Sequence, residues 1–292
     1  MRLLLAVVNL FALLQAAPLL SKPKYASFNE TLAREPMMIL SSAAYSDSPE
    51  DCLDRTGLGE VVLKVPVTCD FFSFDKCFGF TAVLHNDKAI VIAFRGTTNP
   101  TELISEISES MFSQQSAFVG GGTVAKYFND AFVDLWTQGI KSSLTDLARQ
   151  YPDYDLWITG HSLGGSIAAI AAGYIATTGA FPSDRIVLYT FGQPRTGNKD
   201  FATIHDQMVP YAYRVTHNRD MVPHVPLELM DFYHHKQEIF YRNEMEEGKP
   251  YEVCNNDEDD NCSDGYIDIS ILDHITYYGR ILMFWGEGGC KP

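Results

Sequence analysis

Gly160-His161-Ser162-Leu163-Gly164 sets a serine between two glycines, behind the run Asp155-Leu156-Trp157-Ile158-Thr159 and ahead of a small-residue stretch from Gly165 to Gly173. That order predicts a strand, a sharp turn and a helix, with Ser162 at the apex. A serine so placed sits in a strained backbone conformation with its hydroxyl pushed outward, and the glycines leave room for close approach of strand and helix. The new helix aims its N-terminus and free amides at the serine, favouring the negative charge that develops when an ester carbonyl is attacked. The chemistry these residues could do is nucleophilic acyl transfer. A small-residue turn in any α/β protein fits the same pattern, so the reading needs a base and an acid.

Where such a serine comes first in the chain, an Asp or Glu and then a His follow it. Of eight histidines, His85 and His161 come too early, which leaves His205, His217, His224, His234, His235 and His274. Tyr211-Ala212-Tyr213-Arg214-Val215-Thr216 reads as a strand rich in aromatic and β-branched residues. It runs into a turn containing Asp220, and the chain cannot continue there as regular strand because Pro223 and Pro226 lack an amide donor. Asp220 is either the acid or only the cap of that turn. In Asp231-Phe232-Tyr233-His234-His235-Lys236, alternation would send one of the two histidines inward. His274 follows a polar loop and precedes a final helix, so a loop histidine arriving last meets the required order. The pattern alone leaves the other histidines open as bases, with His217 and His224 read as neighbours of the acid loop.

Five motifs then stand in order: Ala93-Phe94-Arg95-Gly96-Thr97, Thr159-Gly160-His161-Ser162-Leu163-Gly164-Gly165, Phe191-Gly192-Gln193-Pro194-Arg195-Thr196-Gly197-Asn198, Arg219-Asp220-Met221-Val222-Pro223-His224-Val225-Pro226 and Asp273-His274. Together they resemble the class 3 lipase family, secreted α/β-hydrolases that include fungal triacylglycerol lipases and feruloyl esterases. The resemblance implies an α/β-hydrolase fold, a mostly parallel twisted sheet flanked by helices. It makes Ser162 the nucleophile, Asp220 the acid and His274 the base, with the oxyanion held by the amides of Thr97 and Leu163. The residues agree with those placements. Ala89-Ile90-Val91-Ile92-Ala93-Phe94 is a continuous apolar run suited to a buried central strand, and Arg95-Gly96 turns the chain at its end. Each oxyanion donor is worth about 3 to 4 kcal/mol of barrier.

Asn99 can cap a helix and Pro100 suits its first turn. Leu103, Ile104, Ile107 and Met111 follow at three- and four-residue spacing, with Glu102, Glu106 and Glu109 opposite. Spacing alone describes an ordinary surface helix; the resemblance makes it a lid whose apolar face covers the active site and opens onto lipid. Many lids of the family carry a tryptophan here, and this segment has none.

Residues 1–16, with one Arg and a short apolar core before Gln15-Ala16-Ala17-Pro18, read as a signal peptide cut after Ala16, a retained anchor being the alternative. Residues 17–292 are expected to form a single domain, monomeric and without a later membrane span. Six cysteines suit an oxidising compartment and allow fifteen connectivities. The resemblance selects Cys52 with Cys290, Cys69 with Cys77 and Cys254 with Cys262. No C-x-x-C pair or neighbouring His spacing supports a metal site, and the chemistry requires no cofactor. Asn29-Glu30-Thr31 is a glycosylation acceptor, whereas Asn261-Cys262-Ser263 conflicts with a bridged Cys262.

The 22 Lys and Arg against 37 Asp and Glu give a formal charge of −15 without a basic stretch, which argues against nucleic acid and anionic membranes as partners. A neutral lipid or other ester at an oil-water interface remains compatible. Asp257-Glu258-Asp259-Asp260 lacks the alternating spacing of a calcium loop and is read as a solvated disulfide loop. The expected activity is hydrolysis of acylglycerols through an acyl-enzyme. A same-fold esterase or phospholipase, and a catalytically silent lipid-binding scaffold, are the alternatives.

Overall fold

The computed structural model describes residues 24–69, 76–98, 112–265 and 270–292. Strands β1 (Glu60–Thr68), β2 (Lys76–Leu84) and β3 (Ala89–Phe94) are joined by antiparallel pairing. A small ribbon, β4 (Gln115–Ala117) with β5 (Thr123–Ala125), stands apart. Then β6 (Asp155–His161), β7 (Ile186–Phe191), β8 (Tyr211–His217) and β9 (Glu238–Tyr241) extend β3 in parallel, and β10 (Glu252–Cys254) closes the edge antiparallel to β9. The eight-stranded order is β1-β2-β3-β6-β7-β8-β9-β10. Because each parallel strand is added on the same side of the last, right-handed crossovers place their helices on one face.

Burial follows from this. Every residue of β3 and of β7 is buried, as a strand covered on both faces must be. Ile90, Ile92, Leu156, Ile158, Ile186 and Leu188 point to one core, shared with helices Lys126–Leu135, Leu163–Thr177 and Lys199–Met208. The alternate residues Ala89, Val91, Ala93, Trp157, Val187 and Tyr189 point to a second core, roofed by the N-terminal helical run and the C-terminal helix Leu282–Glu287. That run passes from Glu30–Leu32 through a π-turn, Ala33–Met37, into Met38–Ala43; the π-turn holds Pro36, which has no amide to donate.

All three expected disulfides are present: Cys52 with Cys290, Cys69 with Cys77 and Cys254 with Cys262. The first ties helix Glu50–Thr56 to the C-terminus across a sequence separation of 238. No helix among the described residues is long and apolar enough to cross a membrane. The lid residues Leu103, Ile104, Ile107 and Met111 lie outside the described residues, as does residues 1–16, the expected signal peptide.

Candidate active site

Ser162 stands between β6 and helix Leu163–Thr177, with φ 58° and ψ −131°. A positive φ is costly for a residue with a Cβ and persists only where the surroundings enforce it. Here the Ser162 amide donates to the Phe191 carbonyl at 2.9 Å, and its own carbonyl accepts from Gly165 at 2.9 Å. Glycine is required next to it: a Cβ on Gly160 would lie 2.2 Å from the Gly164 carbonyl oxygen. The strained elbow is therefore made by backbone contacts that the small residues permit.

Asp220 and His274, the expected acid and base, meet at the ends of neighbouring elements. β8 ends at His217, and the following turn carries Asp220, which is 2% exposed. Nδ1 of His274 lies 2.9 and 3.0 Å from the two Asp220 carboxylate oxygens. The Tyr277 hydroxyl donates to Oδ2 at 2.7 Å and the Val222 amide to Oδ1 at 2.9 Å. Burial alone would raise the Asp220 carboxyl, but His274, Tyr277 and Val222 together hold it below the usual range. A carboxylate can only accept, so His274 carries its proton on Nδ1 and presents a lone pair at Nε2. Gly192, directly after β7, completes the fit: a Cβ there would lie 2.6 Å from Asp220 Oδ2 and 2.8 Å from His274 Nδ1. The same strand end that accepts the Ser162 amide thus abuts the acid-base pair. Ser162 Oγ and His274 Nε2 are both buried, and neither has a hydrogen-bond partner.

His274 was expected on a loop; it lies instead in the five-residue helix Ile271–Ile275. Ser270 caps that helix by accepting the Asp273 amide at 3.1 Å. Asp273 in turn accepts the Arg219 amide at 3.1 Å, and the His217 ring meets the Asp273 carbonyl at 3.0 Å. His274 is therefore fastened to the loop of Asp220 on both sides, and His217 is a structural neighbour of that loop.

On the other side of Ser162, β3 ends at Phe94 and Arg95-Gly96 turns toward Thr97. A Cβ on Gly96 would stand 3.1 Å from Ser162 Cβ, so the turn packs directly on the serine. Arg95 clamps the turn by donating to the Ala44 carbonyl at 2.7 Å and to Asp47 at 2.8 Å. Thr97 and Leu163 line one cleft beside this turn. Leu163 is the first residue of its helix, where an amide has no intrahelical acceptor. Two amides can thus converge near Ser162 on a developing oxyanion.

Two placements correct the sequence reading. Both His234 and His235 are buried, because the segment around them is not a strand and alternation does not apply. Glu258 is also not simply solvated: it grips Arg195 with both oxygens, at 3.1 and 2.7 Å, and accepts the His234 amide at 2.8 Å. Arg195 further bonds Asp264 and the carbonyls of His224 and Pro226, and so pins the loop that begins at Asp220. Fork-shaped guanidinium chemistry suits such a hub, but the pairing spans 63 residues and leaves no local pattern.

A ligand atom from each of His205, Asp206 and His235 lies within 4.8 Å of the others, the one such metal-capable group among the described residues. The two rings are stacked at 4.1 Å with 26° between their planes. In-plane lone pairs of near-parallel rings do not converge on one ion, and the His235 nitrogens already face the Lys236 carbonyl and Gln193. The two rings therefore pack on one another and do not converge on one ion.

Residues 91–230 match the family model for lipase (class 3). A lipase of Caenorhabditis elegans is 35% identical over 305 residues, spanning 92% of this chain and 85% of that protein. A secreted mono- and diacylglycerol lipase of Fusarium solani is 33% identical over 199 residues, which cover 65% of this chain and 56% of that relative. The chain thus spans little more than half the length of its fungal relative. The solved triacylglyceride lipase of Rhizomucor miehei superimposes with a TM-score of 0.72 at 27% identity, over 83% of this chain and 92% of that one. The mostly parallel sheet, the elbow at Ser162 and these similarities lead to one conclusion: the chain belongs to the class 3 lipase family, serine ester hydrolases of the α/β-hydrolase fold.

Proposed function

We propose that the protein is a secreted acylglycerol lipase, a single-domain monomer that works through a Ser162 acyl-enzyme. The observation that carries the reading is the bond of His274 Nδ1 to Asp220, which leaves the buried Nε2 unpartnered, together with the strained elbow at Ser162. His274 takes the Ser162 proton as Oγ attacks the ester carbonyl, and Asp220 holds the ring in the tautomer that permits this. The amides of Thr97 and Leu163 receive the oxyanion. As the tetrahedral intermediate collapses, His274 passes its proton to the departing alcohol. Water, deprotonated by His274, then attacks the acyl-enzyme and the fatty acid leaves with Ser162 reprotonated.

Secretion is supported by the apolar N-terminus in the sequence, by three disulfides and by the secreted Fusarium relative. Asn29, exposed at the first helix, is the proposed glycan acceptor. Neutral glycerides fit a chain of formal charge −15 better than anionic lipid surfaces do. The test is a panel of glycerides, phospholipids and aryl esters on the secreted protein and its Ser162→Ala variant, with fluorophosphonate labelling alongside. Glyceride hydrolysis and labelling that both vanish in Ser162→Ala are expected. Turnover confined to phospholipids or aryl esters would redirect the substrate, and an unlabelled wild type would refute the triad.

A further inference from the structure

We propose that Tyr45 and His161 are positioning residues that couple the base His274 to the oxyanion turn, through two directional hydrogen bonds and the packing of Tyr45 on that turn. The inference rests on the triad reading above. The Tyr45 oxygen packs on Gly96 of the oxyanion turn, 2.5 Å from where a Cβ there would stand. The Tyr45 hydroxyl lies 2.6 Å from His161 Nδ1, and His161 Nε2 lies 2.8 Å from the His274 carbonyl oxygen. A carbonyl can only accept, so Nε2 carries the His161 proton and Nδ1 must accept from Tyr45. One contact at His274 therefore sets the direction of both bonds as far as Tyr45, whose oxygen abuts the turn.

The participants come from separate parts of the chain: Tyr45 follows helix Met38–Ala43, His161 ends β6, and His274 sits on Ile271–Ile275. Tyr45 is 3% exposed, His161 and His274 each 1%. A Cβ on Gly96 would lie 2.5 Å from the Tyr45 oxygen and 3.1 Å from Ser162 Cβ, so phenol, turn and serine share one filled volume. Displacement of any one of them moves the others.

The His161 ring also stacks on that of His274, with centroids 4.6 Å apart and planes at 28°. His274 becomes cationic during each turnover, and a second cation stacked on it would oppose that step. The groups facing His161 are Tyr45, His274, the Tyr277 ring at 5.7 Å and the Asp220 charge. Burial and the His274 charge push His161 down to about 3, and donation from Tyr45 favours the same neutral form.

Tyr45→Phe removes one oxygen and keeps the ring. On a soluble short-chain ester it should lower kcat about 10-fold with little change in KM, because the turn and base lose their shared reference. His161→Gln, which keeps an N–H for the His274 carbonyl, should retain most of the kcat that His161→Leu loses. Wild-type kcat and KM in Tyr45→Phe overturn the proposal, whatever its Tm; so does equal loss in His161→Gln and His161→Leu. Fluorophosphonate labelling of the wild type separates the two levels: without it the triad reading falls and takes this one along, whereas a labelled wild type with unaltered variants refutes only the coupling.

Discussion

In the triad we propose, Ser162, Asp220 and His274 act as one unit, so removing either end of the proton path should cost nearly as much as removing all three. Ser162→Ala and His274→Ala are each expected to lower turnover about 10⁴-fold or more, and Asp220→Asn somewhat less, with substrate binding kept. Steady-state and single-turnover rates on one soluble ester check this; a His274→Ala variant near wild-type activity would move the base elsewhere. Tyr277 is the more particular case. Its hydroxyl is one of the donors that hold the fully buried Asp220 carboxylate ionised. A hydrogen bond to a charged group contributes about 1.5 to 3 kcal/mol, so Tyr277→Phe should lower urea stability by roughly that amount at neutral pH. The Asp220 carboxyl should then protonate at higher pH, and the activity lost at acid pH should be lost sooner. Unchanged stability and an unchanged acid limb would show that the hydroxyl is not needed.

Two elements bear on those residues, one that holds the loop of Asp220 and one that we propose as a lid. The loop from Asp220 to Pro226 is held from outside by Arg195, whose side chain is 5% exposed and grips Glu258 at 15%. Breaking a pair of that burial leaves an uncompensated charge and costs about 3 to 5 kcal/mol in dry interiors, with less expected here because Asp264 remains as a partner. Glu258→Ala should therefore destabilise the fold and depress kcat together, and Glu258→Gln, which keeps one acceptor, should do less of both; thermal melts and kcat measured on the same preparations decide it. The segment after Thr98 is the other element. Its far end is anchored, because Phe112 is buried against Phe128 and Phe232. If Leu103, Ile104, Ile107 and Met111 cover the site in water and face lipid when open, each is worth about 1.5 to 3 kcal/mol of burial in either state. Leu103→Ser with Ile107→Ser should then sharply lower turnover of emulsified long-chain glyceride while sparing a soluble short-chain ester. A proportional loss on both substrates, with an intact circular dichroism spectrum, would make this segment a support of the oxyanion turn.

The whole molecule is stapled end to end and stores neutral histidines inside. The Cys52–Cys290 bridge encloses 238 residues of separation. Chain-entropy reasoning puts its constraint on the unfolded state at roughly 5 kcal/mol as an upper figure. Cytosolic expression should fail, and free thiols at these positions in active secreted protein would remove the claim. Burial pushes His161 down to about 3 and His205 to about 4, and it holds His234 and His235 well below the ordinary value of 6.5. Between 6.5 and those lower values the unfolded chain binds protons that the native one refuses, so stability falls as pH drops through this window. Asp206 works the other way: burial raises it to about 6, so its penalty applies above that pH and is relieved toward 3.8. Four histidines outweigh one carboxyl. Urea midpoints should decline from pH 7.5 to pH 5, and a flat profile would contradict the neutral burial of these rings.

Much of this protein was legible before any contact was known, because its decisive patterns are local. Glycines at 160 and 164 around Ser162, the apolar run Ala89–Phe94 and the prolines after Asp220 each act through neighbours in the chain, where φ limits, helix amides and alternation operate. The order of serine, acid and histidine narrowed the triad to Ser162, Asp220 and six histidines. Choice among those six was a tertiary matter, since only packing brings a residue 54 positions from Asp220 to within 2.9 Å of it. The same holds for Arg195 with Glu258 and for Tyr45 with His161, pairs separated by 63 and 116 residues. Glu258 misled for a physical reason: an acid run looks solvated until a guanidinium fork arrives from a distant turn. His234 and His235 misled because alternation presumes a strand, and the fold made that segment a loop with both rings inside. Local sequence determined which elements form and which groups could react; long-range packing decided which partners each buried charge would meet.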